Sequence, residues 1–267
     1  MTLDLDELTA DWECPPGELR ARVVVGRNGD ELIQLRVDLG VIQMTFAGRP
    51  DGQRHHGLPS ALEYVEHEMR VGGNRLSSQD WQELQRELLQ TNYRRLAFSA
   101  LAEDALRVND SAATHRYIGG ALSDIEACLT QLQVLADHGS EQSVPASLRP
   151  TLLFDRARLL SQLRVVEGQF EDAIEQAEAG AAGLVDLLSE LGRGDDLWED
   201  DSGVRYLRDL GRQLRQEYGV TQTLRERLEE ALEKEDFETA AELRDAMRQR
   251  SADTPSSGGG AGRGQSL

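Results

Sequence analysis

Apolar and polar residues alternate along three short stretches near the start of the chain. In LRARVVV, Leu19, Ala21, Val23 and Val25 are interleaved with Arg20 and Arg22. Alternation with period two is the mark of a strand with one buried face. Asn28-Gly29 follows, a two-residue hairpin signal because both central positions favour φ above zero. ELIQLRVDL returns with Ile33, Leu35, Val37 and Leu39 on one face, Gly40 breaks it, and VIQMTFA turns Ile42, Met44 and Phe46 inward. The pattern predicts a three-stranded antiparallel meander whose apolar face needs a cover. The helices that follow are the expected cover.

After a polar, glycine-rich loop at 48–57, Ser60-Ala-Leu-Glu63 reads as a capping box opening a short helix that ends at Gly72-Gly73. From Ser78 the apolar period changes to 3.6. Trp81, Leu84, Leu88, Leu96 and Leu101 mark a long helix toward Val108. Tyr117, Ile118, Leu122, Ile125, Leu129 and Leu132 mark a second helix ending near His138. A linker with Pro145 and Pro150 leads to a third helix over about 151–166 and a fourth over 170–191. Another helix is expected over 204–218.

The segment 157–184 resembles a tetratricopeptide repeat (TPR). Ala157, Leu160 and Ser161 stand where that repeat packs its first helix. Gly168, Phe170, Ala173, Ile174 and Ala177 follow its turn and second helix. Small residues at the crossing let antiparallel helices approach closely, and the aromatic seals the turn. An ordinary four-helix bundle remains an alternative, because solenoids usually need about three repeats.

The stretch LRERLEEALEKEDFETAAELRDAM (224–247) resembles the UVR motif, found in the B and C subunits of the bacterial excision-repair nuclease. Leu228, Ala231, Glu235, Asp236, Phe237, Ala240, Ala241, Leu243, Arg244, Asp245 and Met247 carry the match. The residues also read physically. Leu224, Leu228, Ala231 and Leu232 form one helical stripe, and Ala240, Leu243 and Met247 a second. Asp236 is a candidate N-cap, Phe237 a residue to close the turn, and Glu230–Lys234 a favourable i, i+4 pair. Two such short helices are marginal alone in water, so their stripes need a partner, a second copy or the chain's own body. The resemblance implies pairing of one hairpin with another, with Arg244 and Asp245 orienting the interface. The segment VDLGVIQMTFAGRPDGQRHHG further resembles bacterial UVR-containing proteins of uncharacterised type, which implies architecture and carries no activity.

Composition narrows the function. Across 267 residues the formal charge is −19, with acids and arginines mixed along nearly every segment, so a phosphate-tracking basic stripe is not expected. Lys234 is the only lysine, which GC-rich coding explains. No apolar run approaches the roughly 18 residues that cross a bilayer, and the acidic start MTLDLDELTADWE is unlike a signal peptide. A cytoplasmic protein is expected. Cys14 and Cys128 stand alone, and Cys128 reads as a small apolar helix residue. His55-His56 with Asp51 and Arg54, and His67 with Glu63 or Glu66, are the weak metal candidates. Neither has the ligand spacing of a known site, and no metal or cofactor is expected. Nucleotide-binding glycine loops, GxSxG and a Cys/His pair are absent, as are the zinc-type cysteines and ATPase motifs of other UVR-bearing proteins, so no catalytic residue is named.

The expected fold is therefore α+β and mainly α. It comprises a β-meander with a short helix (1–73), a TPR-like α-helical domain (74–192), and an acidic linker with one helix (193–220). The UVR hairpin (221–250) and a disordered tail (251–267) complete it. The expected function is a non-enzymatic adaptor or scaffold using the hairpin and the TPR-like helices to bind a protein partner or a second copy. The alternative is a DNA-repair accessory that contacts nucleic acid through Arg205, Arg208, Arg212 and Arg215.

Overall fold

The structure, a computed structural model, describes residues 7, 9–72, 76–138, 147–192 and 201–253, with side chains to 249. The linker around Pro145, the acidic run at 193–200 and the tail from 254 lie outside the described residues.

Three strands, β1 (Arg20–Val25), β2 (Glu31–Val37) and β3 (Gly40–Thr45), form an antiparallel sheet in the order β1-β2-β3. Ala21, Ile33, Leu35 and Met44 are buried, and a ladder of Arg22, Gln34 and Gln43 hydrogen bonds covers the other face. Two details differ from the sequence reading. The Asn28-Gly29 turn is a three-residue connection, Arg27 to Gly29, closed by Gly26 N–H on Asp30 O. Only Gly29 has positive φ, as in a turn followed by a left-handed residue. Leu39, expected on the inner face, sits in the β2–β3 turn and is 94% exposed. The strand ends at Val37, one turn before the alternation does.

The helices are α1 (Ala61–Arg70), α2 (Ser78–Arg107), α3 (Ser111–Asp137), α4 (Leu148–Val166), α5 (Phe170–Glu190), α6 (Ser202–Tyr218), α7 (Leu224–Glu233) and α8 (Phe237–Asp253). Ser60 caps α1 by accepting from Glu63 N, and Ser77 with Asp80 makes a reciprocal capping box on α2. The sheet lies on α2 and shares one core with α2, α3 and α4, built on Leu84, Leu88, Phe98, Ile118, Ile125, Leu132 and Leu152. Phe98 meets Phe46 edge-to-face at 5.1 Å, and its ring lies over Gly120, where a Cβ would come within 2.8 Å. The expected cover of the sheet is thus in place.

Helices α2 to α6 pack in sequence, each against the next. Across α4 and α5, Ser161 Oγ donates to Ala173 O at 2.8 Å, and a Cβ on Gly180 would overlap that of Ala157. That glycine, which the repeat pattern does not flag, lets the two helices approach closely there. Gly168 turns the chain between α4 and α5 with φ +74. The Phe170 ring stacks on Tyr218 of α6, with centroids 3.7 Å apart.

Charge is buried through this body. Arg94, Arg95, Arg49, Glu87, Asp124 and Asp155 are all nearly inaccessible. Arg95 of α2 pairs with Asp155 of α4, and Glu87 Oε2 accepts the first amide of α1, from Ala61, at 2.6 Å while Oε1 accepts from Gln131 at 3.0 Å. Each charge has a partner, as burial demands.

Candidate functional site

The C-terminal hairpin is built from its caps inward. Gly219, with φ +67, ends α6 and redirects the chain, and Thr223 opens α7 with a full capping box on Glu226. Glu235, at φ +56, makes the turn, and Asp236 caps α8 through Thr239 N and Oγ1 at 3.1 and 2.7 Å. Asp236 is therefore the N-cap that the sequence suggests. Glu230 and Lys234 form the expected i, i+4 pair.

Inside the hairpin, Ala231 and Ala240 are buried, and Leu224, Leu228, Leu243 and Met247 are half-buried. Two apolar residues point away. Phe237 is 67% exposed and Leu232 46% exposed, so Phe237 does not close the turn and Leu232 does not join the inner stripe. The left-handed Glu235 and the Asp236 cap make the turn without the aromatic. Ala241, Arg244 and Asp245 are exposed; Arg244 Nε donates back to Ala240 O at 3.3 Å, and Asp245 faces Arg248 at 3.5 Å.

The hairpin meets the body at its first turn, through polar contacts. Leu224 N–H donates to Glu171 Oε2 at 3.1 Å and Arg225 N–H to Glu175 Oε1 at 3.3 Å. Two carboxylates of α5 thus sit at the positive end of α7. Arg227 reaches Glu171 at 3.4 Å, and Arg215 of α6 bridges Glu178 at 3.0 Å and Glu226 at 2.7 Å. These bonds hold the Glu226 carboxyl below the usual range, chiefly through Arg215.

Residues 220–249 match the family model of the UvrB/uvrC motif, UVR. The segment carries a UVR hairpin. No curated protein and no solved structure matches the chain. The UVR match spans α7 and α8 to Gln249 and begins at Val220, whose side chain packs against the cluster of Ala173, Ile174 and Leu214 in the body. The motif is a protein-interaction module, and among the described residues no helix is long and apolar enough to cross a membrane.

The arginines proposed as a nucleic-acid face are divided. Arg215 is engaged by two glutamates and Arg212 by Asp209, while Arg205 and Arg208 lie exposed on α6. They do not make a continuous basic stripe.

The 48–57 loop is held against α2. Arg49 is buried between Asp51 at 3.0 Å and Glu83 at 2.6 Å, and Asp51 accepts from Gln90 at 3.0 Å and Gln53 N at 2.9 Å. Asp51 therefore faces Arg49 and Gln90, and Arg54 Nε donates to Gly57 O. The partner of the histidines is Asp80, at the start of α2: His55 Nε2 and His56 Nε2 lie 2.9 and 3.0 Å from its Oδ1. Asp80 stands 24 residues beyond His56, so no local pattern in the sequence joins it to the histidines.

Proposed function

We propose that the protein is a non-enzymatic cytoplasmic adaptor whose UVR hairpin captures a protein partner or a second copy, presented by the TPR-like helices. The observation that carries this reading is the exposure of Phe237 and Leu232 on a hairpin tied to the body by polar contacts at its first turn. Its inner alanines, Ala231 and Ala240, are already buried. Phe237, one of the largest exposed apolar side chains of the chain, is thus left available at the turn, where burial by a partner would gain about 2 kcal/mol.

The test is a pull-down from the native cell with the full chain, with Phe237→Ala/Leu232→Ala, and with a chain ending at 220. The reading expects partners, or self-association in solution, to be lost in both variants while the body stays folded. Retention of every partner and an unchanged solution mass would overturn it.

A further inference from the structure

His55, His56 and Asp80 are the one group of potential metal ligands among the described residues whose donor atoms converge, all lying within 4.8 Å of one another. The convergence is built by the backbone. His55 N–H donates to Leu58 O at 3.0 Å and Leu58 N–H returns to His55 O at 2.9 Å, closing a tight turn with His56 and Gly57 at its centre. Both central residues have positive φ, +49 and +83, the combination of a type I′ turn. That turn aims two adjacent imidazoles, which an extended chain would send to opposite sides, at a single oxygen.

The surroundings fix each ligand in place. Asp80 Oδ2 accepts from the Ser77 amide and hydroxyl, both at 2.7 Å, so the carboxylate is oriented and its Oδ1 is turned to the histidines. Tyr64 of α1 stacks on the His56 ring at 4.3 Å and meets the His55 ring edge-on at 5.1 Å. Outer contacts of this kind hold metal ligands in register. The His55 and Asp80 side chains are 11% and 4% exposed, while His56 is 54% exposed, which leaves one side of the triangle open to solvent.

We propose that His55 Nε2, His56 Nε2 and Asp80 Oδ1 form a binding site for a divalent transition ion of the zinc class. The donor set of two imidazoles and a carboxylate suits such ions and disfavours magnesium and calcium. The two nitrogen–oxygen distances fit. With bonds of about 2.0–2.2 Å, ligands at right angles stand ~2.9 Å apart and tetrahedral ones ~3.4 Å apart, so the observed 2.9 and 3.0 Å need little or no spreading, and the two imidazole nitrogens lie within 4.8 Å of each other. An ion entering the triangle replaces two N–H···O hydrogen bonds with three ligand bonds. Each Nε2 then carries a lone pair in place of its proton, and binding weakens as pH falls. With three protein ligands and one open side, the ion would keep water or an exogenous ligand in its remaining positions. In the fold, it would clamp the 48–57 loop to the start of α2.

The experiment titrates tag-free, chelator-treated full-length protein with zinc chloride by calorimetry and with cobalt chloride by visible absorption. One ion per chain is expected, with a cobalt d–d band and a thermal midpoint raised by zinc. His56→Ala, chosen because the residue is exposed and should leave the fold intact, should weaken zinc binding at least tenfold, by analogy with the ~10–100-fold cost of losing outer contacts alone. His55→Gln should do the same, and His67→Ala, on the exposed face of α1, should change nothing. Absence of stoichiometric binding at micromolar protein, or equal binding by wild type and His56→Ala, overturns the site. In that case the histidines serve only to hydrogen-bond the loop to Asp80.

Discussion

Arg94 grips Asp124 through two parallel hydrogen bonds, Nε to Oδ2 at 2.9 Å and Nη2 to Oδ1 at 2.7 Å, and its Nη1 donates to the carbonyls of Gly48 at 2.6 Å and Thr45 at 3.3 Å. One side chain therefore joins α2 to α3 and to the end of the sheet. Burial raises the Asp124 carboxyl, against the pull of Arg94, but the pair stays complete. Asp124→Ala leaves a buried guanidinium facing a void. The expected loss is about 3–5 kcal/mol in urea unfolding, the range for breaking a buried pair from one side. A loss below about 1 kcal/mol would mean that water reaches Arg94 freely.

Gly180 of α5 lies against Ala157 of α4 so closely that an added Cβ would overlap the alanine methyl. Gly180→Ala should destabilise the chain by about 1–3 kcal/mol through overpacking, although alanine is the better helix former. In an Ala157→Gly background the same change should cost much less, because the opposing methyl is gone. A double-mutant cycle by thermal unfolding reads the coupling. An additive cycle would show that the helices do not meet there.

Stability at acid pH should depend on Asp80. Burial alone would raise its carboxyl. The Ser77 hydroxyl and amide, with both imidazoles, outweigh that and lower it from 3.8 to about 2. The folded value lies below the unfolded one, so the stabilisation is present above about pH 4 and lost as pH falls toward 2. Glu87 and Asp124, raised by burial, contribute with the opposite sign in both proteins. Asp80→Asn in chelator should therefore show a smaller fall than wild type between pH 4 and 2 in denaturant titrations. Parallel curves would remove the role assigned to these hydrogen bonds.

The two cysteines should differ in reactivity. Burial first, then the nearby Asp124 charge, pushes the Cys128 thiol up to about 12, and the residue is inaccessible. Cys14 is partly exposed. Because the thiolate is the nucleophile, iodoacetamide at neutral pH should modify Cys14 in the folded chain and both residues in urea. Labelling of Cys128 in the native protein, read by mass spectrometry, would require local opening of α3.

The sheet, the helices and the hairpin were legible because period and capping chemistry are local. Ser60 and Asp236 announce helix starts within four residues, and Ile33 and Leu35 declare their face by alternation. Other features depend on residues far apart in sequence. Arg94 with Asp124, Arg95 with Asp155, and Asp80 with the two histidines are charges that look like ordinary surface residues until the helices cross. Gly180 shows no signal beyond being a glycine within a helix. The direction of Phe237 was misread because its position at a helix start does not say which side of the hairpin it faces. The α8 helix also runs to Asp253, into the segment expected as a tail.

The sheet on α2 has a consequence for how the chain is made. Ile33, Leu35 and Met44 leave the ribosome before the long helices whose residues share their core, from Leu84 through Leu132 to Leu159. At about 5–20 residues per second, the meander waits roughly 5–20 s with its inner face bare. A three-stranded sheet without its cover is a weak unit, and its unpaired edges are open to other nascent chains. Slowing translation upstream of residue 132 would lengthen that interval, and a chaperone bound to the emerging sheet would be needed most at that stage of synthesis.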